Sequence, residues 1–327
     1  MIVLLHGAPA YGAVERYVAA IARALGDRGL LVHPGVPELD ELDAPTRVLP
    51  EPSVAALVRL LRGLRPRVVH VTDVWPQALL AARLARVPRL LVTHHTPELP
   101  RSDNLAGRAW QRLGWATRPQ VIYTSEADRE RDGRRPSHVV PLGIDLDRFA
   151  AAEPALRRDG PIVGNVARLA PQKDHATLLE AARILGDVRF VIVGDGELRE
   201  ELERRADGLE VELTGARDDV PELLASFDVF AFPSLFEGLC LAVIEAQAAG
   251  VPVVATPVGG IRETVVDDET GLLVPPRDPA ALAAAIRRLL DDRDLARGLA
   301  GEARRRVRER YSEQRMVELT LGLYRAT

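Results

Sequence analysis

Lysine is almost absent from this 327-residue chain: of 43 basic side chains only one, Lys173, is a lysine, and the rest are arginine. So strong a bias makes the exception either incidental or required for its shape. Arginine is a wide planar fork, whereas lysine is a compact point charge on a flexible stem, suited to a phosphate in a tight pocket. Cysteine is as scarce. Cys240 alone excludes an internal disulfide and a multi-cysteine metal site, and fits a reducing compartment. Aromatic residues make up 4%, which leaves few stacking platforms for single-stranded nucleic acid. The formal net charge of -4 likewise argues against a general nucleic-acid binder. No apolar run reaches the roughly 18 residues a bilayer-spanning helix needs. The apolar start Ile2–Leu5 has no basic flank and is cut short by His6-Gly7, so it reads as a first strand rather than a leader. These absences predict a cytoplasmic protein. Two nucleotide motifs are also missing. There is no Gly-Lys-Ser/Thr of a P-loop, and Gly194-Asp195-Gly196 lacks the third glycine of a dinucleotide fingerprint.

What is present is a mixed globular composition, 47% hydrophobic and 28% charged, in a chain too long for one ordinary core. Short apolar runs alternate with amphipathic stretches of helical period. In the first half the runs are Ile2–Leu5, Leu30–His33, Val68–Thr72, Arg89–Thr93, Gln120–Thr124 and Ser137–Pro141. In the second they are Pro161–Val166, Arg189–Val193, Glu210–Leu213, Val229–Pro233, Val251–Ala255 and Gly271–Val274. Buried runs of this length between helices imply parallel sheets covered on both faces, and two such series imply two doubly wound α/β domains. The charged, Pro-containing segment Ala150–Gly160 reads as the linker. The expected division is residues 1–152, residues 153–311, and a final helix over 312–327 that packs back toward the first domain. Residues 1–150 carry 20 Arg against 16 Asp plus Glu, while the remainder has 23 basic against 31 acidic residues. The mildly basic first half suits an anionic acceptor or a weak membrane-surface contact.

The densest chemistry lies in Phe232-Pro233-Ser234-Leu235-Phe236-Glu237-Gly238-Leu239-Cys240-Leu241-Ala242-Val243-Ile244-Glu245. A strand ends at Pro233-Ser234, a turn carries Glu237-Gly238, and an apolar helix is expected to begin near Leu239. Free N–H groups and the positive end of the dipole at a helix start favour an anion. Glu245 sits eight residues after Glu237, about 12 Å if all are helical, the span of a diphosphate linking two sugar rings. A carboxylate accepts two hydrogen bonds and suits the vicinal hydroxyls of a ribose or hexose. The residues alone also allow a helix-start glutamate and a buried ion pair, since a carboxylate amid apolar neighbours needs a partner of some kind.

With these residues in view the chain resembles glycosyltransferase family four, retaining enzymes of the GT-B fold. Glu237 and Glu245 match that family's E-x7-E signature. Gly164-Asn165-Val166-Ala167-Arg168-Leu169 with Lys173 matches its G-R-L-x-x-x-K region, and Pro257-Val258-Gly259-Gly260 and Thr270-Gly271-Leu272-Leu273-Val274-Pro275 complete a family-like second half. The resemblance implies two Rossmann-like domains facing a cleft. It implies that Glu245 holds the nucleotide ribose, Glu237 the transferred sugar, and Arg168 and Lys173 the diphosphate, helped by Gly238 and backbone N–H groups of Leu239, Cys240 and Leu241. The base is expected near Gly215–Arg217, with Arg217 among the donor contacts.

In the first half, Tyr11-Gly12-Ala13-Val14-Glu15-Arg16 resembles the family's G-G-x-E-R loop, with Ala13 in place of the second glycine. Thr93-His94-His95-Thr96 follows a strand, and the resemblance gives His95, rather than His94, a hydrogen-bonding role at the reacting sugar. Asp145-Leu146-Asp147 has the letters of a metal motif but sits in a turn resembling P-x-G-x-D-x-x-x-F, so neither metal nor further cofactor is expected. The function implied is transfer of a sugar from a nucleotide sugar, with a UDP-sugar as default donor. The acceptor would be a hydroxyl of a sugar, a lipid-linked sugar or a small molecule. A non-catalytic nucleotide-sugar-binding protein and a nucleotide-sugar epimerase on the same architecture are the alternatives.

Overall fold

The computed structural model describes residues 1–7, 13–50, 52–95, 105–134, 136–156 and 160–325. The chain divides into two compact units: Met1–Leu142 with Glu313–Thr327, and Gly143–Ser312. In the first, seven strands lie in the order β3-β2-β1-β4-β5-β6-β7. They are β1 Ile2–Leu5, β2 Gly29–His33, β3 Thr46–Val48, β4 Val68–Val71, β5 Arg89–His94, β6 Gln120–Tyr123 and β7 Ser137–Val139. Every pairing is parallel; β1 sits between β2 and β4, with Ile2 opposite Gly29 on one side and Val68 on the other. The second unit repeats the plan with six parallel strands, order β10-β9-β8-β11-β12-β13. These are β8 Ile162–Val166, β9 Arg189–Val193, β10 Val211–Gly215, β11 Val229–Phe232, β12 Val253–Ala255 and β13 Leu272–Leu273.

Continuous apolar runs form these strands because both faces are covered. In β9, Phe190 and Ile192 join one buried cluster with the helices His175–Leu185 and Pro279–Asp291. Val191 and Val193 join another with the helix Leu241–Ala249. The two-residue period of a strand divides one run between two cores. Both units are thus parallel-sheet α/β Rossmann-like folds.

Two features differ from the sequence expectation. β3 lies in the segment between the runs Leu30–His33 and Val68–Thr72, where no strand was expected; it is a three-residue edge strand, and Arg47 and Val48 are exposed. The division between units falls at 142/143 rather than 152/153. Ile144 N–H donates to the Tyr311 carbonyl at 2.9 Å, and Ile144 and Phe149 are buried with Val307 and Tyr311 in a core of the second unit. The helix Glu313–Arg325 belongs to the first unit, where it packs on the helix Ala13–Leu25. Among the described residues no helix is long and apolar enough to cross a membrane.

Candidate functional site

In the second unit β8 and β11 are neighbours, yet the chain leaves them in opposite directions, to β9 and to β12. Such a reversal of strand order opens a crevice beyond the carboxyl ends of the two strands. Lys173 and Glu237 come from the segments that follow those two strands, and they meet: Lys173 Nζ lies 2.5 Å from Glu237 Oε1, with side chains only 15% and 8% exposed. The ammonium also sits 5.0 Å from the centroid of the Phe232 ring, where a cation is attracted to the aromatic face.

The backbone holds both partners in place. Leu235 N–H donates to the Gln172 carbonyl at 2.8 Å, tying the lysine turn to the glutamate turn. Ser234 Oγ is 2.6 Å from Glu237 Oε1, 2.8 Å from Gln172 O and 3.2 Å from Phe236 O. Its one proton serves one of these acceptors at a time. The Thr256 hydroxyl donates to the Ser234 carbonyl. From the other side, Gly260 N–H donates to Gly238 O at 3.0 Å. Gly259 has φ +50°, and a Cβ there would lie 1.8 Å from Glu237 O. Only glycine allows that approach.

Arg168 is presented by a loop fastened on both sides. Ala167 N–H donates to Val193 O and Leu169 N–H to Asp195 O, each at 2.9 Å. Gly194, at φ +136°, makes room for this loop, because a Cβ there would meet Ala167 O at 2.0 Å. The Arg168 side chain is exposed and pairs with no acid among the described residues. Asn165, in the same motif, is structural: its amide donates to Ala231 O at 2.8 Å and its Oδ1 faces His175 Nε2 at 3.1 Å.

The helix after Glu237 begins at Leu241, not near Leu239, with Cys240 as its N-cap. The Glu237–Cys240 segment is therefore a turn, and the helical span of about 12 Å between the two glutamates does not apply. Glu245 is buried, 8% exposed, beside Val243, Ile244 and Ala246. No side-chain cap hydrogen bond serves the first turn of this helix, which leaves its N–H groups oriented for an anion. Burial pushes the Cys240 thiol above its ordinary range, and Glu237 adds to the effect, which favours the neutral thiol over the thiolate. Arg217 is engaged locally, its fork bidentate on Asp219 at 2.7 and 2.6 Å. Asp145 accepts the Arg148 N–H and caps the helix Leu146–Ala150.

In the first unit the equivalent reversal lies between β1 and β4. His6, just after β1, is buried, with Nδ1 3.0 Å from Thr72 Oγ1 and Nε2 3.0 Å from Glu15. His95, after β5, places Nε2 2.9 Å from the Thr72 carbonyl. A carbonyl only accepts, so Nε2 carries the proton and Nδ1 is an acceptor. That Nδ1 is buried and has no hydrogen-bond partner among the described residues. Burial, with nearby His94 and His6 adding to it, lowers His95 to about 4; the ring is neutral at pH 7. His94 is packed elsewhere, between Trp115 and Tyr123, with Nδ1 3.6 Å from Asp132. Gly12 lies outside the described residues; Ala13 opens the helix Ala13–Leu25. Sequence reasoning missed Ser234 and Thr72, whose contacts follow from strand neighbours far apart in the chain.

Comparison with known proteins shows the family of the chain. The family model described as Glycosyltransferase Family 4 matches residues 12–148, and Glycosyl transferases group 1 matches residues 160–292. A GDP-mannose-dependent alpha-(1-6)-phosphatidylinositol monomannoside mannosyltransferase of Mycolicibacterium smegmatis is 34% identical over 78% of this chain and 76% of the relative. The chain belongs to glycosyltransferase family four. A UDP-Gal:alpha-D-GlcNAc-diphosphoundecaprenol alpha-1,3-galactosyltransferase of Escherichia coli is 30% identical over 74% of this chain and 71% of that protein. Among solved structures, HepE of Anabaena in complex with UDP superimposes with a TM-score of 0.85 at 22% identity, covering 99% of both chains. Sucrose-phosphate synthase of Thermosynechococcus elongatus gives 0.81 at 22% identity, covering 99% of this chain and 98% of the other. The fold is GT-B, and the protein is a glycosyltransferase.

Proposed function

We propose that this glycosyltransferase moves a sugar, with retention of anomeric configuration, from a nucleoside-diphosphate sugar to an acceptor hydroxyl. The observation that carries the reading is the Lys173–Glu237 contact at the strand-order reversal of the second unit. An ammonium has three N–H donors. One serves Glu237, and the others are available to the diphosphate, with Arg168 as the second cation. As the C1–O bond to phosphate breaks, negative charge builds on the leaving diphosphate, and preorganised cations stabilise it there. The acceptor oxygen bonds to C1 on the same face, and its proton passes to the departing phosphate oxygen. Glu237 holds hydroxyls of the transferred sugar and Glu245 those of the ribose. The first-turn N–H groups after Cys240 add to the anion site. His95 offers Nδ1 as an acceptor to a hydroxyl of the sugar. In this reading the two cations take the place of a divalent ion, and no metal is required.

The names of the relatives support a nucleotide-sugar donor and a sugar or lipid-linked acceptor, since one uses UDP-Gal and another is GDP-mannose-dependent. HepE, with UDP and with UDP-glucose, supports a UDP donor. The base therefore stays open between uracil and guanine. A lipid-linked acceptor would place the protein at the cytoplasmic face of a membrane, with the basic first half toward anionic headgroups. The test is a thermal-shift panel of UDP-, GDP-, ADP- and TDP-sugars, then acceptor screening with the best donor and proton NMR of the product anomer. Retention in the presence of chelator is expected. Inversion, or activity abolished by chelator, overturns the corresponding part.

A further inference from the structure

The helix Leu105–Trp115 of the first unit carries its apolar stripe outward. Ala106, Ala109, Trp110 and Leu113 stand at i, i+3, i+4 and i+7, the spacing of a stripe that ordinarily faces a core. Yet all four are exposed, Trp110 by 37% and Leu113 by 45%. The other side holds the helix to the unit. Gly114 is buried, and a Cβ there would come within 2.9 Å of Pro76, the first residue of the helix Pro76–Leu84. Trp115 packs edge-on against His94, with centroids 5.9 Å apart, and the Arg134 guanidinium sits 4.1 Å from the centroid of its ring. A glycine is thus buried while a tryptophan and a leucine are left out, the reverse of what folding alone would select.

The flank of the stripe is cationic. Arg108 and Arg112, one turn apart, form a row beside it, and both are exposed. Arg112 pairs with no acid among the described residues. From residue 104 to residue 125 the chain has Arg108, Arg112 and Arg118 and no Asp or Glu. A cation in the last turn also offsets the helix dipole, but that accounts for neither Trp110 nor Leu113.

We propose that this helix lies in the surface of an anionic lipid bilayer, with Trp110 and Leu113 at the acyl boundary and Arg108 and Arg112 among the headgroup phosphates. At 11 residues it is too short to cross. An indole and a leucine on one face with arginines beside them are what an interfacial helix requires. The arginine fork reaches a phosphate while its stem covers apolar surface. A second copy of the chain fits the stripe less well. A two-fold interface sets one patch against itself, and the two arginine rows would then adjoin with no acid on the helix to take them up. Lipid phosphates take up both. The inference deepens the lipid-linked acceptor of the proposed function, because it names the element that holds the enzyme at the bilayer where such an acceptor lies. That consequence rests on the proposed function; the lipid contact itself does not.

The experiment is vesicle flotation of the full chain with phosphatidylcholine alone and with a phosphatidylcholine–phosphatidylglycerol mixture. It compares wild type with Trp110→Ser/Leu113→Ser and with Arg112→Gln. Wild type should float with the mixed vesicles, and less so as salt is raised. The double variant should bind them at least about tenfold more weakly, having lost two apolar anchors. Arg112→Gln should lose roughly fivefold on the mixed vesicles, the share of one basic residue at an anionic surface, and nothing on phosphatidylcholine. Thermal melts of wild type and both variants should coincide, since the altered side chains are exposed. Were the double variant less stable, Arg112→Gln and the salt series would still decide. Wild type that fails to float with mixed vesicles, or a stable double variant that binds them equally, overturns the proposal. So does a concentration-dependent dimer in sedimentation that the double variant abolishes, because the stripe then belongs to a second copy. Unchanged binding by Arg112→Gln, with no effect of salt, overturns the part given to the arginines. Titration with UDP and GDP reads the proposed function separately. Were neither nucleotide bound by wild type, that function would fail while flotation still decided the lipid contact.

Discussion

Replacing Lys173 by Met tests the pair at the centre of the site. The substitution keeps most of the apolar stem and removes the charge. It deletes the 2.5 Å contact to Glu237 and the cation over Phe232, leaving a carboxylate on a side chain only 8% exposed. Breaking a buried ion pair from one side costs about 3–5 kcal/mol. Here the Ser234 hydroxyl, 2.6 Å away, remains as a donor, and the lysine is 15% rather than 0% exposed. The expected loss is therefore about 2–4 kcal/mol. For a unit spanning Gly143–Ser312 that lowers Tm by roughly 5–12 °C. The double variant Lys173→Met/Glu237→Gln removes the orphaned charge and should recover more than half of the loss. Calorimetric melts of the two single variants, the double variant and wild type give the coupling. Titration with nucleoside diphosphate then reads the second role, with an expected weakening of at least about tenfold. A Lys173→Met protein that melts within about 1 °C of wild type and binds nucleoside diphosphate normally would refute the assignment.

Three further outcomes are expected. Gly259→Ala puts a methyl 1.8 Å from Glu237 O at φ +50°; the turn must move, costing more than about 3 kcal/mol, and transfer should fall even well below Tm. Gly298→Ala, in the helix Arg293–Arg310 with open space around it, should instead stabilise by about 0.5–1 kcal/mol, which a melt will show. Acidification should destabilise the protein between pH 6.5 and about 4. Burial lowers His94, His95 and His175 from 6.5 to about 4 and His70 to about 3, so the unfolded chain binds more protons in that window. Stability is fully present above 6.5 and declines as pH falls, by up to about 1.4 kcal/mol per pH unit for each histidine; denaturant melts at pH 7 and 5 that coincide would contradict this.

Most of the fold was legible because a strand covered on both faces is written as an uninterrupted apolar run. β1 over Ile2–Leu5 and β9 over Arg189–Val193 appear at the predicted bounds. β3 was not legible: an edge strand of Thr46–Val48 buries little and carries no run. The helix Arg293–Arg310 is likewise hidden by its arginines, although Ala296, Leu299, Ala300, Ala303 and Val307 form a buried stripe. The glutamate pair could be read from its spacing, but not that Lys173 bonds Glu237, because that contact depends on β8 lying beside β11. His70 and Tyr324, separated by 254 positions, meet because the helix Glu313–Arg325 folds back onto the first unit. A sequence shows which residues can carry charge or donate a proton; only the sheet order brings particular ones together.

In the proposed function the second unit holds a nucleoside diphosphate with its ribose on Glu245. Calorimetric titration of wild type and Glu245→Ala with UDP and with GDP measures it directly. One of the two nucleotides should bind wild type and bind Glu245→Ala at least about tenfold more weakly, the loss of hydrogen bonds to a charged acceptor. Equal affinity in the two proteins would contradict it.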